Sequence, residues 1–485
     1  MILKTSTVLV WREKELFGGY RHEKVHAETI SQTEVSMAKR FVFDNLIYKI
    51  NEETYLIMNL ISFRRETITK EALDKLFLIE SKLEAEKSLS SEEEQFLQDF
   101  YMRKQILPPE IVEKVDRQSE QNSELHLSKI PVRSVTLNLT HSCNFNCDYC
   151  YQRKYKWKSE YTRGMSTEDV KLIVEYLQLP YFDDTELEEI VVSGGEPLLP
   201  ANIDTINEIC ERVVAKKKIL FTNGTNILTY KEQIPFEAFD EVQISLDGPD
   251  AVIRQVNHYD SSFEKIIGGI KYLQHMNKKI TLVTMWTKEL RCHLAEYIEL
   301  LKQSGILEHP DTTIKFALAI DYYSNRGLDE HFYHWDEIAA DLKKYRQILS
   351  TINSNLELPV EIRGLADFLH RPMNKRRGMK YKKCDLTKTV PMVFEPDGNI
   401  YWCLCLDGRS GKIGNYREKC FDRERVMKLG NRTIYKIDQC RQCRLRYLCG
   451  GGCMLSLISG DKEVYQPACG PFGEPFVWEH LEELI

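Results

Sequence analysis

"SVTLNLTHSCNFNCDYC", residues 134–150, runs an apolar stretch directly into a loop that carries three thiols. Val135, Leu137 and Leu139 alternate with polar neighbours, the period of a half-buried strand. Cys143, Cys147 and Cys150 then crowd into eight positions with C-x3-C-x2-C spacing. Strands running into polar loops recur in "EIVVSGGEP" (189–197), "KILFTNGT" (218–225), "EVQISLDGP" (241–249), "KITLVTMWT" (279–287) and "TTIKFALAI" (312–320). Amphipathic helices fall among them, the first being "STEDVKLIVEYLQ" (166–178), where Ser166 and Asp169 are placed as a capping box. Six βα units in series predict a parallel sheet with helices outside, curved into a partial, TIM-like (β/α)6 barrel over residues 131–340. Barrels of this kind place their chemistry on loops at the C-terminal strand ends. "HSCNFNCDYC", "SGGEP", "TNGT" and "SLDG" all occupy that end.

The bulk numbers narrow the function classes. A chain of 485 residues has room for about three domains. A net charge of -7 gives no electrostatic footprint for nucleic acid. The apolar stretch at the start is too short for a signal peptide, and no segment approaches a membrane span, so a cytoplasmic chain without a membrane partner is expected. In that compartment thiols stay reduced, and clustered cysteines point to metal binding or catalysis. Of the 14 cysteines, Cys210 and Cys292 stand alone in helical stretches, where buried packing is expected.

Residues 1–125 predict a small α/β module. "NLIYKI" (45–50), the turn "NEET" and "YLIMNL" (55–60) form a hairpin signature. Two helices follow, "TKEALDKLFLIESKLEAEK" and "SSEEEQFLQDFYMRKQ", each opening on Thr or Ser with early carboxylates. "ILPPEIVEKVDRQSEQNSELHLSK" (106–129) then turns polar and is expected to be a linker. Beyond the barrel, "YHWDEIAADLKKYRQILSTI" predicts a connecting helix, and residues 341–380 join the barrel to a cysteine-dense tail over 381–485.

Three thiolates on one loop can hold three irons of a cubic four-iron cluster and leave the fourth open. A structural zinc site would want a fourth protein ligand, and His141 is the nearest candidate. "CNFNCDYC" resembles the signature of the radical S-adenosylmethionine (SAM) superfamily, and the other strand-end motifs match the same family. The resemblance implies that SAM chelates the open iron of a [4Fe–4S] cluster held by Cys143, Cys147 and Cys150, and is cleaved to a 5′-deoxyadenosyl radical. It implies that Ser193, Gly194, Gly195 and Glu196 grip the methionine amino group, with the Glu196 carboxylate facing a cation. By the same resemblance Tyr149 lies near the adenine, Asn223, Ser245 and Asp247 contact the ribose and carboxylate, and Arg254 pairs with the SAM carboxylate. Each is also ordinary strand-end turn chemistry.

In the tail, Cys384, Gly398 and Cys403 precede "CRQCRLRYLCGGGC", which carries Cys440, Cys443, Cys449 and Cys453, and Cys469 follows. This arrangement resembles the SPASM domain of peptide-modifying radical SAM enzymes. The resemblance implies two auxiliary iron–sulfur clusters, [4Fe–4S] in type. Cys384, Cys403 and Cys453 would bind the first, with Cys405 as a fourth ligand, and Cys440, Cys443, Cys449 and Cys469 the second. Cys420 is expected to lie outside both; a zinc-binding tail is the alternative. Leu404 stands where sulfatase-maturing members carry an Asp base, which counts against formylglycine synthesis. No catalytic residue is assigned beyond the cluster ligands. The N-terminal module resembles the winged-helix-like leader-recognition domains of peptide maturases, where a sheet edge takes up a peptide strand. The expected function is modification of a ribosomally made precursor peptide bearing a leader, closing a cross-link that is foremost a Cys thioether. C–C cross-linking or another oxidative peptide modification is the alternative, and a non-catalytic iron–sulfur electron carrier is the reading from a different class. A flavodoxin or ferredoxin is the expected reductant. Deletion of residues 1–125 is expected to leave iron loading intact, because every motif thiol lies beyond them.

Overall fold

The computed structural model describes residues 45–62, 64–123, 128–150, 152, 163–183, 186–260, 262–318, 349, 351–352, 354–357, 382, 389–403, 411–443, 445–452 and 465–467. Strands β1 (Asn45–Lys49) and β2 (Thr54–Asn59) form the expected hairpin, with Asn45 opposite Asn59 and Lys49 opposite Tyr55. A third strand, β3 (Arg65–Thr69), pairs antiparallel with β2. Its polar sequence hid it, since Ile68 is its only buried side chain. Helix α1 (Lys70–Glu84) starts where the Thr69 hydroxyl accepts from Ala72 N, and α2 (Ser91–Met102) where Ser90 and Glu93 form a capping box. Each cap is worth about 0.5–2 kcal/mol. Tyr55 and Ile57 of β2 pack on Leu73, Leu76, Ile79, Leu97 and Phe100 of the two helices.

The stretch expected to be a linker is instead largely helix α3 (Pro109–Ser123). Pro109 opens it, where a missing N–H costs nothing. Val112 and Val115 pack on a small cluster formed with Ile61, Leu107 and four apolar side chains of the tail, Ile434, Tyr435, Ile437 and Tyr447. Met58 and Leu60 meanwhile join the main core. The N-terminal module is therefore packed against both the barrel and the tail.

Among the described residues the second sheet has eleven strands. Its six expected strands are β4 (Ser134–Asn138), β5 (Glu189–Ser193), β6 (Lys217–Thr222), β7 (Glu241–Ser245), β8 (Lys279–Trp286) and β9 (Thr312–Leu318), each parallel to the next. A seventh, β10 (Ser354–Glu357), extends the parallel run beyond β9, within the stretch expected to connect barrel and tail. Helices α4 (Thr167–Leu177), α5 (Ile203–Arg212), α6 (Phe263–His275) and α7 (Lys288–Gln303) alternate with the strands. Ser166 and Asp169 cap α4 as the sequence predicts. This mixed α/β fold with a parallel sheet fits a radical SAM TIM-like core.

At the strand starts, residues from four neighbouring strands form a charge belt. Lys217 Nζ lies 2.8 Å from Glu241 and 3.8 Å from Glu189, and Lys279 Nζ lies 3.0 Å from Glu241. Burial alone would raise the Glu241 carboxyl, but bonds from Lys217, Lys279 and Thr281 outweigh it and hold the group at about 2.

On the other side of β4 the sheet continues with the tail. β11 (Met392–Phe394) lies parallel to β4, and β12 (Asn399–Tyr401), β13 (Lys412–Asn415) and β14 (Cys420–Phe421) follow antiparallel. The turn after β13 grips α4: Arg417 bonds Asp169 at 2.8 Å, and Tyr176 donates to the Cys420 carbonyl at 2.9 Å. Cys420 is exposed on this outer strand. Cys210 is half-buried in α5, but Cys292 is exposed on α7, so the packing role expected for it does not hold. The expected connecting helix lies almost wholly outside the described residues. Among those described, no helix is long and apolar enough to cross a membrane.

Candidate active site

The three thiols sit on the loop leaving β4, all half-buried. Backbone bonds knit this loop to its neighbours. On one side Gly195 N donates to Thr140 O at 2.6 Å and Glu196 N to Ser142 O at 2.9 Å. The approach is so close that a Cβ on Gly195 would lie 2.1 Å from Ser142 O, so only glycine fits there. On the other side Asn146 N and Asp148 N each donate at 3.0 Å, to Asn257 O and Val256 O, in the single π-turn Ile253–Asn257. His258 follows that turn and pairs with Asp148 at 2.9 Å.

Glu196 is 1% exposed, and both its oxygens are engaged: Oε1 accepts from Leu198 N (2.8 Å) and Thr222 (2.6 Å), and Oε2 from Asn223 N (2.7 Å). Burial raises its carboxyl to about 7 even though these three donors pull it down. The carboxylate thus ties the β5 loop to the β6 loop instead of lying open to a ligand cation. Asn223 turns its amide to Asn144 at 2.7 Å, beside Cys143 Sγ at 4.0 Å. Asp247, also 1% exposed, accepts from the Tyr149 hydroxyl, from Asn257 Nδ2 at 2.6 Å and from Met285 N at 2.9 Å. Burial nevertheless raises its carboxyl. Asp247 therefore anchors the tyrosine that stands between two of the thiols. Ser245 is half-buried at the end of β7. Arg254 is exposed on the π-turn.

Residues 137–301 match the model of the Radical SAM superfamily. Those residues form a radical SAM domain. Among curated proteins, the chain is 26% identical over 202 residues to pre-heme d1 synthase of Dinoroseobacter shibae, covering 41% of this chain and 45% of that protein. It is 22% identical over 296 residues to GTP 3′,8-cyclase of Staphylococcus epidermidis, covering 56% of this chain and 79% of the cyclase. The chain thus spans under half of the first relative's length. Among solved structures, native anSMEcpe with bound AdoMet and Cp18Cys peptide aligns with a TM-score of 0.51 at 17% identity, over 73% of this chain and 96% of that one. Streptococcus suis SuiB bound to S-adenosylmethionine aligns with a TM-score of 0.50 at 17% identity, over 88% and 98%. At these identities the likeness is one of fold.

A radical SAM domain implies a [4Fe–4S] cluster and SAM, and the loop fits that demand. Burial first, then the Asp247 carboxylate and the Cys150 and Cys143 sulfurs, push the Cys147 thiol well up. Three thiolates on this loop therefore need a cationic centre to balance them. Phe145 N donates to Cys143 Sγ at 3.3 Å, as suits a sulfur that carries negative charge. Three thiols on one loop can ligate three irons of such a cluster.

In the tail, Cys403 is half-buried just after β12, Cys440 is buried, and Cys443 and Cys449 are half-buried around two short helical turns. Cys384, Cys405, Cys453 and Cys469 lie outside the described residues, so the full auxiliary ligand sets do too. Gly450, Gly451 and Gly452 all take positive φ, between 70° and 89°. The buried Arg432 guanidinium holds this bend, donating to the carbonyls of Gly451 (2.6 Å), Gly452 (3.2 Å) and Gln466 (2.8 Å).

Sequence reasoning missed Asn144, Asn257, His258 and Glu395, which all touch the thiol loop or its supports. His141, the doubtful zinc ligand, turns to Glu395 at 3.1 Å. "NHYD" did carry a turn signal, and His258 adopts the left-handed φ of 52° there.

Proposed function

We propose that the chain is a radical SAM enzyme that modifies a ribosomally synthesised precursor peptide, closing an intramolecular cross-link, foremost a Cys thioether. The observation that carries this reading is the cysteine loop locked onto the Gly194–Gly195 loop at the C-terminal strand ends, with a second cysteine-bearing unit built onto the same sheet. Support for a peptide substrate comes from the fold shared with anSMEcpe, whose structure holds a peptide. Cys143, Cys147 and Cys150 would hold the cluster, which with SAM would supply abstraction of one substrate hydrogen atom; closing the thioether also releases the thiol proton and one electron, which an auxiliary cluster would accept.

The chain's own residues bind and orient. Gly194 and Gly195 bring backbone close to the thiol loop, where the methionine end of SAM would lie. Glu196 locks that backbone to the β6 loop, and Asp247 fixes Tyr149 at the adenine side. Ser245 and Asn223 stand at adjacent strand ends for the ribose, and Arg254 is the candidate for the SAM carboxylate. Cys403, Cys440, Cys443 and Cys449, with the four thiols outside the described residues, would hold the auxiliary clusters. The three-stranded sheet of the N-terminal module is the candidate leader-binding edge, and a flavodoxin or ferredoxin the candidate reductant.

The test is anaerobic reconstitution followed by assay of 5′-deoxyadenosine, then mass analysis of a Cys-containing precursor. SAM cleavage that disappears in each of Cys143→Ala, Cys147→Ala and Cys150→Ala, with a peptide product lighter by two hydrogens, is the expected result. Cleavage that persists in those variants refutes the cluster assignment. A wild type that cleaves SAM but leaves every offered peptide unchanged refutes the substrate class.

A further inference from the structure

We propose that Glu395, carried on the tail, is a positioning residue for the catalytic cysteine loop and acts through His141 and Asn138. It immediately follows β11, whose register on β4 sets Phe394 against Leu137 and so brings Glu395 beside Asn138. Both its oxygens accept from Asn138 Nδ2 at 2.8 Å, and Oε2 also lies 3.1 Å from His141 Nε2. Asn138 Oδ1 in turn accepts from Gln152 Nε2 at 3.3 Å. The side chains of His141 and Glu395 are 8% and 12% exposed.

The placement of these partners gives the network its role. Asn138 is the root of the loop at the end of β4, His141 stands two residues before Cys143, and Gln152 two residues after Cys150. One carboxylate from outside the barrel therefore ties down both ends of the segment that holds all three thiols. A carboxylate is the group for this position because it only accepts, and the amides and imidazole around it present donors. With so little solvent at hand, a lost acceptor leaves those donors unsatisfied. The tail thereby sets the geometry of the first cluster, apart from any clusters of its own.

This inference rests on reading the thiol loop as the catalytic centre, but its test does not need turnover. Hydrogen exchange is measured on the full-length reconstituted protein over residues 139–146. Glu395→Gln replaces one acceptor oxygen with a donor and is expected to speed exchange there by about tenfold or more. It should also change the paramagnetic resonance line shape of the reduced protein on addition of SAM. Arg417→Ala removes another tail-to-barrel bond, the 2.8 Å pair with Asp169, and should lower melting temperature without affecting those amides. The double variant Asn138→Asp with Glu395→Gln restores an acceptor–donor pair with the roles exchanged, and should recover much of the protection. Exchange unchanged in Glu395→Gln overturns the proposal, as does equal acceleration in Arg417→Ala, which would reduce Glu395 to general docking. If Glu395→Gln does not fold, failure of the double variant to restore protection overturns it instead. Failure of wild-type protein to cleave SAM would count against the proposed function and leave the exchange result standing.

Discussion

Gly195→Ala puts the close approach of the two active-site loops to a quantitative test. The new methyl would lie 2.1 Å from Ser142 O, 2.6 Å from the Ser142 carbonyl carbon and 2.8 Å from His141 O. A carbon–oxygen contact is comfortable only beyond about 3.2 Å, so the loops must part by about 1 Å. That movement breaks the bonds Gly195 N–Thr140 O and Glu196 N–Ser142 O. Two backbone bonds at about 0.5–1.5 kcal/mol each, with about 1–2 kcal/mol of residual strain, sum to about 2–5 kcal/mol. For a domain of this size the melting temperature should fall by roughly 4–20 °C. A displacement of about 1 Å at the reacting groups should also slow SAM cleavage by about 100-fold. Gly305→Ala is the control: φ there is +72° with nothing within 4 Å of the new Cβ, so only about 1–2 kcal/mol of backbone strain and no loss of activity are expected. Thermal melts and 5′-deoxyadenosine formation read both variants. A Gly195→Ala protein with wild-type melting temperature and rate would refute the steric argument.

Two further outcomes follow from the packing. Glu241 is held at about 2 in the fold against an ordinary 4.5, so its ionic bonds stabilise fully above about pH 5 and are lost as pH falls toward 2. The stability gap between wild type and Glu241→Gln, about 1–2 kcal/mol after allowing for solvent screening, should be level at neutral pH and close in acid; urea melts across that range that show a constant gap would contradict it. Val115→Asp sets a carboxylate against Ile434, Tyr435 and Tyr447 and should cost about 2–4 kcal/mol. Because buried Cys440 belongs to the same cluster, iron content should fall with it, and unaltered iron loading would show that the module and tail are independent.

The barrel was legible because each strand announces itself twice, by a short apolar run and by the polar loop at its end. "EVQISLDGP" could hardly be anything else in a series of βα units. Helix α3 was not, since Val112 and Val115 are isolated apolar positions in a polar stretch and acquire meaning only from the tail they meet. Strands β11 to β14 have two to four residues each, too few for any period to show. They exist because β4 offers an edge. The thiols were readable from spacing, but the internal bonds of Glu196 and Asp247 were not: both look like ligand contacts in sequence, and in the fold each also accepts from three internal donors. Glu395 had no local signal at all, because Asn138, one of the residues that give it a role, is 257 positions away. The same distant packing bears on the deletion of residues 1–125, expected from the sequence to leave iron loading intact. Loss of Ile61, Leu107, Val112 and Val115 would strip the apolar cover from the segment containing Cys440.

The pairing of β4 with β11 also shapes how the protein is made. β5 can cover one side of β4 soon after it is synthesised, but its other edge waits for residues near Met392. At about 5–20 residues per second, the 257 positions between Asn138 and Glu395 take roughly 13–50 s to translate. Through that interval a strand with unpaired N–H and C=O groups is open to other chains. Nascent protein should therefore depend on chaperone shelter until the tail emerges. A message cut short before Met392 would leave that edge open permanently, and aggregation is the expected fate of its product.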